Sequence, residues 1–462
     1  MTSIASSSAP STARATSMTS TTSAPSVAAP VAAAPRRYGA MGPRDLTVWI
    51  VFAIVLAVAP RVFASGLGVT MLSQIGIAIV ACLSYNMLLG QGGMLSFGHA
   101  VYSGLGTYIA IHALKAVGDG TFPLPVSLIP VIGGLSGLFF AVLLGFVTTK
   151  KAGTTFAMIT LGLGELVFAM SLMVPEFFGG EAGVAANRMV GKPFLGITFA
   201  PQIQVYYLIA AYTFVCTALM YAFTRTPLGR MLNAVRDNPE RVEFIGYSTQ
   251  RVRYLAFIIA GFFAGMAGGM YALNFEIATA EVVGAGRSGA YLLFTFLGGA
   301  TFFFGPIIGA VLMVVATVLL SEFTKAWLLY LGLVFLLMVM YAPGGIASLI
   351  MMNLRVAKFG KLRRLLAGYA GLAATGIVMF AGVAAMIEMV YHLQLNEALG
   401  PQMQFMGVQL DAKSAASWAG AFVIALVGLI GFELTRRRFA HHWGEVQGEI
   451  EAAIHAREAA GT

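Results

Sequence analysis

Twelve apolar runs, most of them about the length of one bilayer crossing, constrain this chain more than any other feature. A helix needs roughly 17–25 apolar residues to span the hydrocarbon core, and its backbone groups must be satisfied within the segment. The runs lie at 45–64, 69–90, 99–116, 125–148, 154–174, 203–224, 252–273, 287–300, 305–321, 326–343, 366–388 and 416–435. The run at 287–300 is short, and glycine-rich stretches at 90–98 and 298–306 reduce the count to ten if they are re-entrant. With 58% of residues hydrophobic and 10% charged, the composition excludes a soluble domain, where about 25% would be charged. The expected fold is all-α, a polytopic helical membrane protein with about ten to twelve transmembrane helices and glycine-broken segments.

The net charge of +9 sits in short loops between apolar runs, so it reports orientation in the bilayer rather than nucleic-acid binding. Arg36, Arg37 and Arg44 precede the first run, and Lys150 and Lys151 follow the fourth. Arginines crowd 225–253, and further bases follow the tenth and twelfth runs, at Arg355–Arg364 and Arg436–Arg438. All these clusters fall on one side, while Glu176, Glu181, Glu276, Glu281, Glu397 and Asp411 fall on the other. Both termini are therefore expected in the cytoplasm. Residues 1–44, rich in Ser, Thr, Ala and Pro, read as a disordered cytoplasmic tail. A main membrane domain follows over 45–350, an extra region with two spans over 351–435, and a cytoplasmic tail over 436–462. Cys82 and Cys216 lie inside apolar runs and read as small buried side chains.

Two places carry polar groups where lipid would forbid them. The first is Asn86-Met-Leu-Leu-Gly-Gln-Gly-Gly-Met-Leu-Ser-Phe-Gly-His99, which sets Asn86, Gln91, Ser96 and His99 among Gly90, Gly92, Gly93 and Gly98. Each glycine disfavours continuous helix by about 1 kcal/mol. A broken helix can offer backbone groups to a zwitterionic solute in a transporter. A tight loop at the membrane surface would use the same glycines, and spacing alone leaves both readings open. The second is Glu165, in mid-run, where a carboxylate costs roughly 2.5–3.5 kcal/mol and by default marks a functional position.

Between the sixth and seventh runs, Pro227–Asn238 has helical periodicity, with Leu228, Met231, Leu232 and Val235 in one apolar stripe. Asn238 before Pro239 suits the cap of a second short helix. The stripe is expected either to dock in a groove of a soluble partner or to lie among lipid headgroups. The sequence shows no phosphate-binding loop, nucleophile elbow or zinc signature, and its histidines lack metal-ligand spacing. Any energy coupling is expected from a partner or an ion gradient.

The segment from Asn86 through Gly90, Gly93, Ser96, Gly98 and His99 to Gly104, Gly106 and Tyr108 resembles the signature of the LivM-type high-affinity branched-chain amino acid permeases. Thr107 stands where that family usually has Ala. The stretch Gly229, Arg230, Ala234, Arg236, Asp237, Glu240 and Gly246 resembles the family's ATPase-coupling loop. Ala264–Gly268, Gly298–Gly299, Gly305–Pro306 and Gly309–Ala310 match in the same order, and Thr160-Leu161 ahead of Glu165 is similar to another family stretch. The resemblance covers about 45–350, and the tail 351–462 departs from the usual ending.

The resemblance implies a permease subunit of an ABC importer in the bacterial inner membrane. It implies a heterodimeric pore with a sister permease, two ATP-binding cassette subunits and a periplasmic substrate-binding protein. ATP would be bound by the partner subunits and the chain itself would need no cofactor. The expected substrate path is Asn86, Gln91, Gly93, Ser96, His99 and Glu165. Urea and short-chain amide permeases share the signature and are the first alternative. A proton-coupled secondary transporter with Glu165 and His99 as relay is the second, and a membrane scaffold the third.

Overall fold

The computed structural model describes residues 43–190, 198–342, 344–395, 400–405 and 407–459. By its contacts the chain divides into Met1–Ile50 and Val51–Thr462. Arg36, Arg37, Glu397 and the expected tail to residue 42 lie outside the described residues. All twelve apolar runs fall on helices. The first is α1 (Pro43–Val62), followed by α2 (Gly66–Gly92), α3 (Ala100–Gly118), α4 (Ile129–Thr148) and α5 (Gly153–Met173). A single turn, α6 (Pro175–Phe178), precedes α7 (Gln202–Arg225). Two short helices, α8 (Pro227–Asp237) and α9 (Pro239–Phe244), lead into α10 (Thr249–Phe275). Then come α11 (Ala285–Gly298), α12 (Gly305–Val314), a π-helical stretch Val315–Leu320 and α13 (Ser321–Phe323). The chain ends with α14 (Trp327–Tyr341), α15 (Gly345–Lys358), α16 (Leu362–Leu395) and α17 (Ala415–Ala459).

Among the described residues eight helical segments are long and apolar enough to cross a bilayer, or nine if α14 and α15, bent by 49°, make one span. Three of the twelve runs, those on α1, α3 and α11, are not among these spans, and two of them fall short in length. The apolar part of α1 is Leu46–Val62, and α11 has 14 residues, about 21 Å at 1.5 Å per residue. α11 instead doubles back on α12 in a hairpin. A Cβ on Gly298 would sit 2.7 Å from the Gly309 nitrogen, so only glycine allows this approach. The loops at one end of the spans carry Lys150, Lys151, Arg225 and Arg251, and those at the other carry Glu176, Glu181, Glu276 and Asp411. The first end is the basic face; the second, called the acidic face after these residues, is mixed and also carries Arg61, Lys115, Arg188, Arg287, Lys325 and Lys413.

α10 is the hub. It is buried along most of its length because Gly261, Gly265, Gly268 and Gly269 let other backbones come close. A Cβ on Gly269 would lie 2.6 Å from Pro130 Cα of α4, and one on Gly137 would lie 2.8 Å from Gly265 Cα. On α3, Thr107 Oγ1 donates to Gly268 O at 3.1 Å. Beyond α10, Glu276 takes a left-handed conformation, and β2 (Ile277–Ala278) pairs antiparallel with β1 (Val184–Ala185) on the acidic face. Arg188 fastens this corner. Its side chain donates to Phe199 O at 3.0 Å, Leu273 O at 3.2 Å and Gln202 Oε1 at 3.0 Å.

The C-terminal region is an antiparallel helical hairpin of α16 and α17, joined on the acidic face by β3 (Gln402–Phe405) and β4 (Val408–Asp411). It has its own small cores, one of which contains Val356, Leu365, Val446 and Ile450. Within the span region it is tied to α14 through the Tyr330 hydroxyl, which donates to Glu388 Oε1 at 3.1 Å.

Candidate functional site

The glycine-broken segment is both a surface turn and an interior loop. α2 ends at Gly92, and Gly93 closes it in the left-handed region at φ 62°, where its N–H reaches the Leu89 carbonyl at 3.0 Å. Here the chain meets α8. A Cβ on Gly92 would lie 3.2 Å from Leu232 Cδ1, and one on Gly93 would lie 2.9 Å from Arg236 Cγ. Arg236 also donates from Nη1 to the Gly90 carbonyl. The segment then turns back among the helices. Phe97 N donates to Thr160 Oγ1 of α5 at 3.1 Å, and Gly98 lies against the Thr160 carbonyl. Ser96 and His99 are fully buried.

His99 sits between α2 and α11. Its Nε2 is 2.9 Å from Ser84 Oγ, and that hydroxyl already donates to Ala81 O at 2.7 Å. A carbonyl only accepts, so the ring donates from Nε2 and leaves Nδ1 as an acceptor. Nδ1, Asn86 Oδ1, Gln91 Oε1 and Ser96 Oγ are all buried without a hydrogen-bond partner among the described residues. Unpaired buried polar atoms each cost roughly 1–3 kcal/mol. They form a series of unsatisfied polar atoms strung from the last turns of α2 to the start of α3. Next to it, Ala100 N donates to Ser288 Oγ of α11 at 2.9 Å, which starts α3 inside the bundle.

Glu165 does not join this cluster. Thr160 and Gly164 of α5 face Gly98, while Glu165 lies on the outer, exposed face with Gly162 and Leu166. It has no hydrogen bond or ion pair among the described residues. The six residues expected along one path therefore occupy two places: Asn86, Gln91, Gly93, Ser96 and His99 around the α2–α3 loop, and Glu165 on the outside of α5.

The stripe Leu228, Met231, Leu232 and Val235 is turned inward, contrary to the expectation of a partner groove or headgroups. Leu232 and Val235 are fully buried, and Leu228 and Met231 pack on the same core. The reason is proximity: Thr226 caps α8 directly after α7, its Oγ1 accepting from Gly229 N at 3.2 Å, so the helix folds back under its own bundle. Asn238 caps α9 as expected, accepting from Arg241 N at 3.0 Å. Arg230, Ala234, Arg236, Asp237 and Glu240 are exposed, and Gly246 turns the chain at φ 90° with open space around it. The outward apolar surface lies further on, in Phe244, Ile245 and Tyr247, which are 88%, 66% and 53% exposed. Three large apolar residues after a charged helix were the sequence signal for it.

Residues 68–342 match the family model described as "Branched-chain amino acid transport system / permease component". The chain is 27% identical over 324 residues to the high-affinity branched-chain amino acid transport system permease protein LivM of Escherichia coli (strain K12), covering 65% of this chain and 74% of the relative. It is 25% identical over 295 residues to the probable branched-chain amino acid transport permease protein LivH of Methanocaldococcus jannaschii, covering 59% of this chain and 86% of the relative. No solved structure matches the chain.

Proposed function

The chain belongs to the permease component family of branched-chain amino acid transport systems, and we propose that it is one of two pore-forming permeases of an ABC importer for leucine, isoleucine, valine or related amino acids. In this reading the basic face is cytoplasmic, the acidic face is periplasmic, and the membrane is the bacterial inner membrane. A sister permease covers the outer face of α5. Two ATP-binding cassette subunits dock on the cytoplasmic loops and bind the ATP, and a periplasmic binding protein delivers substrate.

The observation that carries the reading is the double-sided loop of α8 and α9. Its inner side is bound to the end of α2 through Leu232 and the Arg236–Gly90 hydrogen bond, and its outer side presents Phe244, Ile245 and Tyr247. A solvent-exposed apolar patch at a loop tip calls for a protein partner. Force applied there reaches the glycine-broken loop that ends at His99. Glu165 supports the sister permease, because an unpaired carboxylate on a span needs protein or water rather than lipid against it. The separation of Glu165 from His99 speaks against a proton relay through both.

The test is purification in mild detergent with mass spectrometry, followed by uptake in proteoliposomes. Leucine accumulation that needs ATP, both permeases, the ATPase subunits and the binding protein is the expected result. Proton-driven uptake by this chain alone would overturn the reading.

A further inference from the structure

On the acidic side, α2, the end of α10, α11, the π-helical stretch and α14 enclose a half-open cavity of about 730 Å³. This is within the usual range for a small-molecule site. Its lining is divided in kind. Gln74, Tyr271, Glu281 and Arg287 supply polar groups, while Phe294, Met313 and Leu331 stand among apolar walls. The Arg287 guanidinium carbon lies 4.9 Å from the Tyr271 ring centroid. Among the described residues no carboxylate is ion-paired with it.

A guanidinium in a membrane bundle requires an anion, and its planar fork fits a carboxylate by two parallel hydrogen bonds. Glu281, exposed at the edge of the same cavity, attracts Arg287 without pairing with it and disfavours a simple anion there. An apolar ligand would bring no contact to either charge. A ligand that carries a carboxylate and an ammonium on one carbon, with an aliphatic tail for the apolar walls, answers all three. Residues of the cavity floor also face inward. Arg287, Tyr271 and Tyr291 border a small void with Ser103 and Thr107, the Tyr291 hydroxyl is 3.5 Å from Ser103 Oγ, and the Tyr291 ring is 6.5 Å from that of His99. A phospholipid headgroup such as phosphatidylethanolamine shares the paired charges, but its acyl chains have no use for a polar floor.

The geometry points to a binding site within the permease itself for an aliphatic α-amino acid, with Arg287 taking the carboxylate and Glu281 the ammonium. This rests on the importer reading for its biological setting, and the two are tested apart. The full complex in proteoliposomes is irradiated with leucine carrying a photoactivatable diazirine. Labelling is expected on peptides of α11, the π-helical stretch and α14, abolished by excess L-leucine and unaffected by L-lysine. Arg287→Gln is expected to weaken leucine competition by about thirtyfold, the low end for breaking a buried hydrogen-bonded charge pair. Because that variant can misfold, Leu331→Trp fills the cavity from an apolar wall and is expected to block labelling with the complex still assembled. Labelling confined to other segments in a complex that imports leucine would overturn the site and leave the importer reading intact. Label that added phosphatidylethanolamine displaces and leucine does not would also overturn it. Leucine-competed labelling in a complex that fails to import would uphold the site and refute the importer reading.

Discussion

Replacing Phe244 by alanine separates the two faces of the cytoplasmic loop. The side chain is 88% exposed, so it contributes almost nothing to the permease's own packing, and nearly all of its apolar area is free for a partner. Burying a phenylalanine stabilises by roughly 1.5–3 kcal/mol. At 1.4 kcal/mol per tenfold, Phe244→Ala is expected to weaken ATPase-subunit binding by about 10- to 150-fold. Thermal stability of the permease should stay within about 0.5 kcal/mol of wild type. Leu232→Ala is the counterpart. Leu232 is fully buried against the end of α2, so its truncation is expected to cost about 2–5 kcal/mol of stability. The assay is interferometry of the purified ATPase subunit on permease heterodimers in nanodiscs, with thermal unfolding alongside. Unchanged affinity in Phe244→Ala, or lost affinity in Leu232→Ala without lost stability, would refute the assignment of outer and inner faces.

Glu165→Gln is expected to preserve heterodimer assembly and to change the rate of leucine uptake; unaltered kinetics at normal expression would make Glu165 a packing residue. Arg188→Ala removes side-chain bonds to Phe199, Leu273 and Gln202, and should raise hydrogen exchange around 184–190 by about a hundredfold, as loss of roughly 3 kcal/mol implies. Gly269→Leu should prevent folding of the bundle, since even a Cβ there would lie 2.6 Å from Pro130 Cα; normal yield in membranes would contradict the close packing of α10 on α4. Cysteine at position 181 should react with an impermeant maleimide in whole cells and cysteine at position 150 should not, because the loops bearing Glu181 and Lys150 lie at opposite ends of the spans.

The helices were legible because twenty-residue apolar runs have few other folds, and the glycines of α10 and of the α11–α12 hairpin let backbones approach closely. The loop from Gly90 to His99 was visible as an anomaly, but its double character was not. Whether a glycine meets a partner helix, as Gly92 meets Leu232, or an interior carbonyl, as Gly98 meets Thr160, depends on contacts remote in sequence. The same limit misdirected the stripe of α8: periodicity identifies an apolar face without saying which surface it covers. Arg287 could have been found from sequence. It is the lone charged residue of the run 287–300, although it stands at the run's edge rather than in mid-run as Glu165 does.

The length of α17 has a consequence for symmetry. At 1.5 Å per residue its 45 residues reach about 67 Å, more than twice the roughly 30 Å of hydrocarbon. The part beyond Arg436–Arg438 stands clear of the bilayer as a braced post, held to α15 and α16 by Val356, Leu365, Val446 and Ile450 and by the Lys361–Glu449 ion pair. Counting spans from α8 puts this post on the same side of the membrane as the α8–α9 loop. In the importer proposed above, an ATPase subunit seated on this permease would share its side of the membrane with a fixed projection. Paired with a permease that had no such post, two motors that look alike would work under unequal confinement.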